Sequence, residues 1–360
     1  MITIPKKMRA AVLMDRDKLV LKEVDTPVPG PEDVLIRVEA VAICSTDVAL
    51  IHEPFPGQPP FGDFIPGHEY AGTIVALGET VDEFKIGDRV AVEAHLGCGR
   101  CRNCRIGNYT ACLNYGNRKK GHRANGFTTN GGYAQYVVNH INTVYKIPDS
   151  VGFDEASLVT NLGCVLYGFQ TLGGFVVGDQ VAVIGPGPLG LISTHVASTL
   201  GAERVYLSGT RENRLEIGKK MGADRIINVN KEDPYRVIME ETEGIGVDFV
   251  IEASGSKSGL DLAIKAAKRM GKILLLSFPH TPIPTDFEDL ALNNKYIYTV
   301  RGEGWANCRR AISLMGKKRV DLKPLVTHTF ALSEIEKAFY TFVNRIENSI
   351  KVVVKPNEQV

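Results

Sequence analysis

Several features that would place this sequence in a special class are missing. No apolar run approaches the ~20 residues that a membrane-spanning helix needs, and the opening M-I-T-I-P-K-K-M-R-A-A-V holds no apolar core of a secretory signal. Neither sign of charge is in excess, because 42 basic and 41 acidic side chains give a net charge of +1. That balance gives no reason to expect nucleic acid or a membrane surface as a partner. We therefore expect a cytoplasmic protein that acts on a small molecule.

Cysteine is also scarce, and its distribution is informative. The chain has seven cysteines, an odd number, and four of them follow the pattern Cys98-x2-Cys101-x2-Cys104-x7-Cys112. In a chain without a secretory signal, such clustering favours metal over disulfides. Four thiolates fill a tetrahedral zinc and leave no position for a substrate, which predicts a structural site. An iron–sulfur cluster uses the same ligand set and remains an alternative.

The middle of the chain carries the pattern of a nucleotide-binding unit. The apolar run Val181–Ile184 is followed directly by G-P-G-P-L-G, which has G-x-G-x-x-G spacing. A helical pattern and a second strand at Val205–Leu207 come next. The first glycine allows a tight turn, the second a close approach to a pyrophosphate, and the third close packing of helix on strand. The residues expected at the cofactor are Gly185, Gly187, Pro188, Leu189 and Gly190.

Strands and helices alternate on both sides of this motif, which predicts an α/β fold with a doubly wound parallel sheet over residues 156–297. We place helices at Phe153–Leu172, Leu260–Met270 and Trp305–Met315. Short β-rich runs with turn signals fill residues 1–155, and strands return over residues 298–360. These two segments are expected to form a separate β domain.

The end of the second strand bears on which nicotinamide cofactor is used. NAD-binding units place an acid there, some twenty residues after the last glycine, for the adenosine ribose hydroxyls. This chain has Gly209, Thr210 and Arg211, with no acid before Glu212. Arg211 offers a planar cation suited to a 2′-phosphate, so we predict a preference for NADP(H). Alternatively Arg211 is a solvated charge and NAD is used without the acid. Arg214 either adds to the phosphate site or faces water.

Three residues outside the cysteine cluster could bind a second zinc. Cys44 follows a strand, and His68 and Glu69 come some twenty residues later. Cysteine, histidine and glutamate all bind zinc, and a catalytic zinc keeps three protein ligands and an open position. Each residue alone is more often an ordinary core residue, so the prediction depends on the set. A basic run over residues 118–123 is either a solvated loop or a segment that faces an anionic substrate group.

Taken together, these motifs resemble the zinc-dependent medium-chain alcohol and polyol dehydrogenases over nearly the whole chain, and most closely the threonine and sorbitol dehydrogenases. The matching pieces are Cys44-Ser45-Thr46-Asp47, Gly67-His68-Glu69, Gly87-Asp88-Arg89-Val90, the four-cysteine loop, Gly185–Gly190 and V-D-L-K-P-L-V-T-H. The resemblance implies a GroES-like β catalytic domain, a Rossmann domain, and a cleft that holds zinc and nicotinamide. We expect a homodimer or homotetramer.

The resemblance also implies roles for individual residues. Cys44 and His68 would bind the catalytic zinc, with Glu69 in or close to its coordination shell. Thr46 would take the proton of the substrate hydroxyl, while hydride passes between the carbinol carbon and the nicotinamide. The implied reaction joins a secondary alcohol, a polyol or an amino-alcohol, to its ketone. A small aliphatic alcohol with NAD(H), or a non-catalytic nucleotide-binding relative, remain alternatives.

The chain departs from the family pattern at two places. Many relatives end the proton relay on a histidine five residues after the zinc cysteine, where this chain has Ala49; the relay would end on His52, on a ribose hydroxyl or in water. The remaining zinc ligand would fall at Thr160 or Asn161, neither a usual ligand. Glu69 with water, or Cys164 about one helical turn further on, would complete the shell.

Overall fold

The computed structural model describes residues 3–171, 173, 175–279, 281–304 and 306–358. It divides into two compact units, the first formed by the chain up to Gly163 and from Gly302 onward, the second by Cys164–Arg301. The boundaries expected from the sequence, after residues 155 and 297, lie several residues earlier. The helix Val159–Thr171 runs through the first division without a break, so no turn residue marks that boundary in the sequence.

The N-terminal part of the first unit is built mainly from strands. Its strands are β1 (Lys7–Asp15), β2 (Lys18–Asp25), β3 (Asp33–Ala42), β4 (Glu69–Leu77), β5 (Arg89–Val92), β6 (His95–Gly97), β7 (Arg123–Ala124), β8 (Tyr136–His140) and β9 (Val144–Lys146). Its helices are α1 (Ser45–His52), α2 (Arg102–Arg105), α3 (Phe153–Ala156) and α4 (Val159–Thr171), the last of which continues into the second unit.

The single helix predicted over Phe153–Leu172 is two helices, α3 and α4. They are separated by Ser157 and Leu158, and the Ser157 hydroxyl donates a hydrogen bond of 2.7 Å to the carbonyl of Asp154. A serine that bonds to a nearby carbonyl in this way competes with the regular helical ladder. Leu172, the last residue of the predicted helix, lies outside the described residues.

The second unit is a parallel sheet with helical crossovers. Its strands are β10 (Gln180–Ile184), β11 (Arg204–Gly209), β12 (Arg225–Asn228), β13 (Val247–Glu252), β14 (Ala267–Leu275) and β15 (Tyr296–Thr299). Its helices are α5 (Pro188–Thr199), α6 (Glu212–Lys220), α7 (Pro234–Glu241), α8 (Lys257–Ala266) and α9 (Phe287–Leu292). The strand order β12-β11-β10-β13-β14-β15 confirms the predicted doubly wound Rossmann sheet, with the G-x-G-x-x-G turn after the central strand β10.

The helix predicted over Leu260–Met270 was placed too far along the chain. The helix α8 ends at Ala266, and β14 begins at once with Ala267 paired to Val247. The residues after Ala266 are good helix formers, but sheet pairing with β13 overrides that propensity.

The closing part of the chain returns to the first unit, as the sequence predicts. It contains α10 (Asn307–Gly316), β16 (Val326–Ala331), α11 (Ile335–Asn344) and β17 (Lys351–Lys355). Trp305, the expected start of α10, lies outside the described residues. A seven-stranded sheet runs in the order β16-β17-β3-β4-β5-β9, with β8 also paired to β3. Across the described residues, no helix is both long and apolar enough to cross a bilayer.

The register of this sheet positions the polar site. Ala42, the last residue of β3, pairs with Glu69 of β4 on one side and with Val353 of β17 on the other. The chain leaves β3 through Ile43 and Cys44 and then forms α1. Cys44, Glu69 and the start of β17 therefore lie together where the neighbouring strands β3, β4 and β17 begin or end.

Candidate active site

Cys44, His68 and Glu69 form a group that could hold a metal ion. One ligand atom from each, the thiol sulfur, an imidazole nitrogen and a carboxylate oxygen, lies within 4.8 Å of the other two. His68 is 7% exposed and Glu69 2% exposed. One sulfur, one nitrogen and one oxygen ligand on a buried edge suit zinc and leave a fourth position for a small molecule.

Asp47 fixes the orientation of the imidazole. Its Oδ1 lies 2.9 Å from Nδ1 of His68, which leaves Nε2 as the nitrogen available to a metal. Its Oδ2 accepts hydrogen bonds from the Tyr133 hydroxyl at 2.8 Å and from the Cys44 amide at 2.9 Å. Burial alone would lower the pKa of His68, but the charges of Asp47 and Cys44 outweigh it and raise that pKa. A metal that binds at Nε2 would therefore compete with a proton.

Glu69 is held by two donors. Its Oε2 pairs with the ammonium group of Lys351, and its Oε1 accepts a hydrogen bond of 2.7 Å from the side-chain amide of Asn161. The side chains of Lys351 and Glu69 are each 2% exposed. Burial lowers the pKa of Lys351, but the neighbouring negative charges of Glu69 and Cys44 raise it above its ordinary value. The lysine is thus a permanent positive charge beside an otherwise anionic ligand set.

The two residues at the usual position of the remaining ligand lie at the start of α4. Thr160 and Asn161 are 3% and 6% exposed, and neither Thr160 Oγ1 nor Asn161 Oδ1 has a hydrogen-bond partner in the described structure. Buried oxygens of this kind require a partner, which a water or a substrate hydroxyl would supply. Cys164, the other candidate ligand, belongs to the second unit.

The residues proposed for proton transfer are only partly brought together. Thr46 lies at the start of α1, with its Oγ1 3.7 Å from the Cys44 sulfur. His52 lies at the opposite end of that helix, where its Nδ1 is 2.9 Å from Asp17 Oδ2 and its side chain is 73% exposed. His52 is therefore an exposed histidine paired with an aspartate, six positions after Thr46 in the same helix, and the end of the relay stays a prediction.

The four-cysteine loop is assembled as the spacing predicts. The sulfurs of Cys98, Cys101, Cys104 and Cys112 all lie within 4.8 Å of one another. Backbone amides point at them: those of Cys98, Cys101 and Cys104 each lie 3.4 Å from a sulfur of the same set. The side-chain amide of Asn114 donates to the Cys98 sulfur at 3.2 Å. Such donors favour thiolates: against the effect of burial they lower the pKa of Cys98 to about 6, whereas burial raises the pKa of Cys104 and of Cys112.

A second buried polar cluster lies in the same unit. Glu93 accepts hydrogen bonds from the hydroxyls of Tyr109 and Tyr145 at 2.5 and 2.6 Å. His95 Nδ1 lies 3.2 Å from Glu303 Oε2, and both glutamates are less than 4% exposed. Burial first, and the charge of Glu303 second, raise the pKa of Glu93 to about 8. With that pKa, the carboxyl group of Glu93 is mostly protonated at neutral pH.

The dinucleotide loop has the geometry that a pyrophosphate needs. Gly185 has φ +98°, and a Cβ at Gly190 would stand 1.9 Å from the Gly185 carbonyl oxygen. Gly187, the N-cap of α5, has no heavy atom within 4 Å of an added Cβ. Pro188 then occupies the first turn of the helix, followed by the amides of Leu189 and Gly190. Open space in front of a helix N-terminus fits a phosphate group.

The end of β11 corrects one expectation. From the sequence, a glycine at position 209 leaves room for a 2′-phosphate, and Gly209→Asp with Arg211→Ala is expected to shift the preference towards NAD(H). A Cβ at Gly209 would lie 2.3 Å from Cδ and 2.6 Å from Cγ of Pro186. Glycine is therefore required there by contact with the loop, and the pair Gly209→Asp with Arg211→Ala does not fit this backbone.

The polar and charged residues after Gly209 differ in their exposure to solvent. Thr210 is exposed, Arg211 is the half-buried N-cap of α6, and Arg214 in its first turn is only 8% exposed. The burial of Arg214 removes the alternative that it merely faces water. Glu212 accepts from the Asn228 amide at 2.6 Å and from Lys231 at 2.8 Å. The first acid after the strand is thus engaged with β12 and its following turn.

The basic run over residues 118–123 is not uniformly solvated. Its first three residues form an exposed 3₁₀ turn, Arg118–Lys120. His122 is 1% exposed, and Arg123 donates a hydrogen bond of 2.7 Å to Asp33 Oδ1. The second half of the run therefore ties the loop to the start of β3.

Sequence reasoning assigned no role to three residues of the metal group's surroundings, Asp47, Asn161 and Lys351. Asp47 could have been found, because an acid three residues after Cys44 is a helix-capping pattern, and its carboxylate indeed accepts from the Cys44 amide. Lys351 left no comparable signal. It is one lysine at the start of an apolar strand, and only the register of β17 against β3 brings it to Glu69.

Comparison with known proteins agrees with this geometry. Residues 30–149 match the family model of the alcohol dehydrogenase GroES-like domain, and residues 188–317 match that of the zinc-binding dehydrogenases. An L-threonine 3-dehydrogenase of Pectobacterium carotovorum is 32% identical over 341 residues, 93% of this chain and 96% of that protein. The sorbitol dehydrogenase of Bacillus subtilis is 32% identical and aligned over 99% of both chains.

Solved structures show the same fold. A zinc-binding dehydrogenase from Sinorhizobium meliloti bound to NADP matches with a TM-score of 0.89 and 27% identity, over 98% of this chain and 100% of that one. A short chain alcohol dehydrogenase from Escherichia coli CFT073 complexed with NADH matches with a TM-score of 0.87 and 25% identity, over 98% and 100%. With the GroES-like domain, the Rossmann sheet and relatives aligned over nearly their full length, the chain belongs to the zinc-dependent medium-chain alcohol and polyol dehydrogenase family.

Proposed function

We propose that the protein is an NADP(H)-preferring dehydrogenase that interconverts a secondary alcohol of the polyol or amino-alcohol class and its ketone. The alcohol loses a hydride to NADP⁺ and a proton to the protein and solvent, giving ketone, NADPH and H⁺. The observation that carries the proposal is the buried group of Cys44, His68 and Glu69, whose imidazole is fixed by Asp47. A zinc bound there would act as a Lewis acid on the substrate oxygen, and the nicotinamide would exchange the hydride.

The chain's own residues complete the chemistry around that group. Thr46, beside the Cys44 sulfur, is the hydroxyl we assign to proton transfer from the substrate. We propose that Glu69 and a water, rather than Cys164, complete the metal shell. The partnerless oxygens of Thr160 and Asn161, one of which belongs to the residue that binds Glu69, support a water at this place.

The cofactor preference is supported by the end of β11. The position of the ribose-binding acid is Gly209, and Glu212 is engaged with Asn228 and Lys231. Arg211 is the N-cap of α6 and the buried Arg214 lies in its first turn, where a 2′-phosphate would meet their charge. One solved relative is bound to NADP and another to NADH, so the family alone does not decide between the two cofactors.

The homodimer or homotetramer that we expect is supported by the edge of the parallel sheet. β15 is the last strand in its order and carries the exposed Tyr296 at 44%, and the preceding helix α9 carries the exposed Phe287 and Leu292 at 72%. Edge strands and exposed apolar side chains are normally covered in native proteins. Analytical ultracentrifugation gives the oligomeric state directly. The cytoplasmic location stays a prediction.

The test is an activity screen combined with metal analysis. Polyols, amino-alcohols and simple alcohols are offered with NADP⁺ and with NAD⁺, and zinc is counted per chain. We expect two zincs, turnover of a polyol or amino-alcohol, and a higher kcat/KM with NADP⁺. A kcat/KM for NAD⁺ equal to or above that for NADP⁺ overturns the cofactor assignment. One zinc and no turnover would instead favour a non-catalytic nucleotide-binding relative, and turnover of small aliphatic alcohols alone would reject the substrate class.

A further inference from the structure

Pro186 lies against the backbone at the end of the neighbouring strand. β10 and β11 run in parallel with Ile184 opposite Ser208, and the Gly185 amide donates to the Ser208 carbonyl at 2.9 Å. The next residues, Pro186 and Gly209, are therefore brought side by side. A Cβ at Gly209 would come within 2.3 Å of Pro186 Cδ and 2.6 Å of its Cγ. Such approaches are far shorter than carbon atoms tolerate, since their optimal separation is about 3.5–4.0 Å.

The crowding at Gly209 comes from the proline ring alone. The third nearest atom, the backbone nitrogen of Pro186, stands at 3.7 Å, which is an ordinary contact. The ring is closed onto the backbone and fixes φ, so it cannot swing aside as a flexible chain end would. Alanine at position 186 has neither Cγ nor Cδ. Removing the ring would thus remove both clashing atoms without touching β11.

Position 209 is also where a dinucleotide-binding unit carries the acid that binds the adenosine ribose. We propose that Pro186 is a specificity-determining residue: by excluding every side chain at position 209, it keeps the acid of NAD-binding units out of this site. The inference rests on the nicotinamide-cofactor function proposed above. It adds that selectivity is set from the phosphate-binding loop and not by Arg211 and Arg214 alone.

The first experiment isolates the steric contact from charge. Gly209→Ala adds only a Cβ, and we expect it to lower Tm and to weaken binding of both NADPH and NADH at least tenfold, measured by titration of cofactor fluorescence without substrate. Pro186→Ala in the same chain should restore most of both. The matched control is Gly187→Ala, whose Cβ meets no heavy atom within 4 Å. It should keep the wild-type Tm while weakening cofactor binding. An unchanged Tm and unchanged binding in Gly209→Ala overturns the proposal.

The second experiment introduces the acid. Gly209→Asp alone should bind both cofactors poorly. In Pro186→Ala/Gly209→Asp, NADH should bind at least tenfold more tightly than in Gly209→Asp, while NADPH should stay weak because the carboxylate repels its 2′-phosphate. Equal NADH affinity with and without the proline would contradict the inference. If wild-type protein binds NADH as tightly as NADPH, the cofactor assignment fails, but the Tm coupling between Gly209→Ala and Pro186→Ala still decides the role of Pro186.

Discussion

Lys351 and Glu69 form an ion pair at which neither side chain is more than 2% exposed. Lys351 is the first residue of β17 and Glu69 the first of β4, 282 positions apart in the sequence. The pair joins the two ends of the first unit at the metal group.

Lys351→Met should destabilise the protein strongly. In the zinc-free protein, prepared with a chelator, removing Lys351 leaves the buried Glu69 carboxylate without a cationic partner, which costs roughly 3–5 kcal/mol of unfolding free energy. The loss is measured as a lower midpoint in urea. The double variant Lys351→Met/Glu69→Gln, with no unpaired charge, should recover much of it. Lys337→Met, in the exposed pair with Glu334, is the control and should change little. A wild-type midpoint in Lys351→Met would show that the pair is not a structural requirement.

Asp47→Asn should weaken zinc at the catalytic group. The carboxylate that holds His68 Nδ1 is lost, and replacing such a partner typically reduces metal affinity by about 10- to 100-fold. Competition with a chelator measures this, and the zinc of the four-cysteine loop should remain. Asp17→Asn, which alters the exposed partner of His52, is the matched control. Equal zinc affinity in Asp47→Asn and wild type would remove Asp47 from the site.

Cys44→Ala and His68→Ala should abolish turnover and leave NADPH binding intact, because the dinucleotide loop belongs to the other unit. An activity assay tests the loss of turnover, and fluorescence titration tests the retained NADPH binding. Cys164→Ser should retain both zincs if Glu69 and water complete the shell. Retained turnover in either alanine variant would contradict the catalytic zinc, and loss of one zinc in Cys164→Ser would transfer the fourth-ligand role to that cysteine.

Cys101→Ser should lower Tm and remove one zinc of two, because metal binding to a four-thiolate loop contributes directly to folding stability. The remaining zinc should be the one removed by Cys44→Ala. Calorimetry and metal analysis of both variants distinguish the two sites. Wild-type stability together with lost turnover in Cys101→Ser would mean that the loop takes part in chemistry.

The Glu93 cluster predicts a pH dependence of stability. Burial and the nearby Glu303 raise the pKa of Glu93 from 4.5 to about 8, so between those pH values the folded protein binds more protons than the unfolded chain. Its free energy of unfolding then falls as pH rises through this range, by at most about 1.4 kcal/mol per pH unit from one group. The groups that face Glu93 are Tyr109, Tyr145, Cys308 and Glu303.

Glu93→Gln should reduce that slope, because glutamine cannot ionise. Urea unfolding at several pH values between 5 and 9 measures it. The exposed Glu79→Gln is the control for removing one negative charge from the chain and should keep the wild-type slope. An identical slope in Glu93→Gln would place the pH dependence on other groups.

Short-range pattern was enough to predict the βαβ unit and the four-cysteine loop. In both, the deciding residues are close in sequence: Gly185 to Gly190 form a turn within six positions, and Cys98 to Cys112 lie within one loop. Helix limits were less predictable. α8 ends at Ala266 because Ala267 already pairs with Val247 of β13, and that partner cannot be read from local propensity.

The surroundings of the metal group could not be predicted for the same reason. Cys44, His68 and Glu69 are types that bind zinc, so composition and order indicated them. The charge balance depends on Lys351, and its place depends on the pairing of β17 with β3. The contact of Pro186 with Gly209 likewise arises from two adjacent parallel strands. The sequence suggests open space beside Gly209, whereas in the structure the Pro186 ring occupies that space.

The Pro186–Gly209 contact determines which of two substitutions has to come first if a chain of this kind is to change its cofactor. An aspartate at position 209 arising first would meet the proline ring and lower stability before any gain in NAD binding. Replacement of Pro186 first opens the space and leaves the glycine in place. If position 209 sets the cofactor as proposed, an evolutionary path from this sequence towards NAD use begins in the phosphate-binding loop, after the strand next to β11.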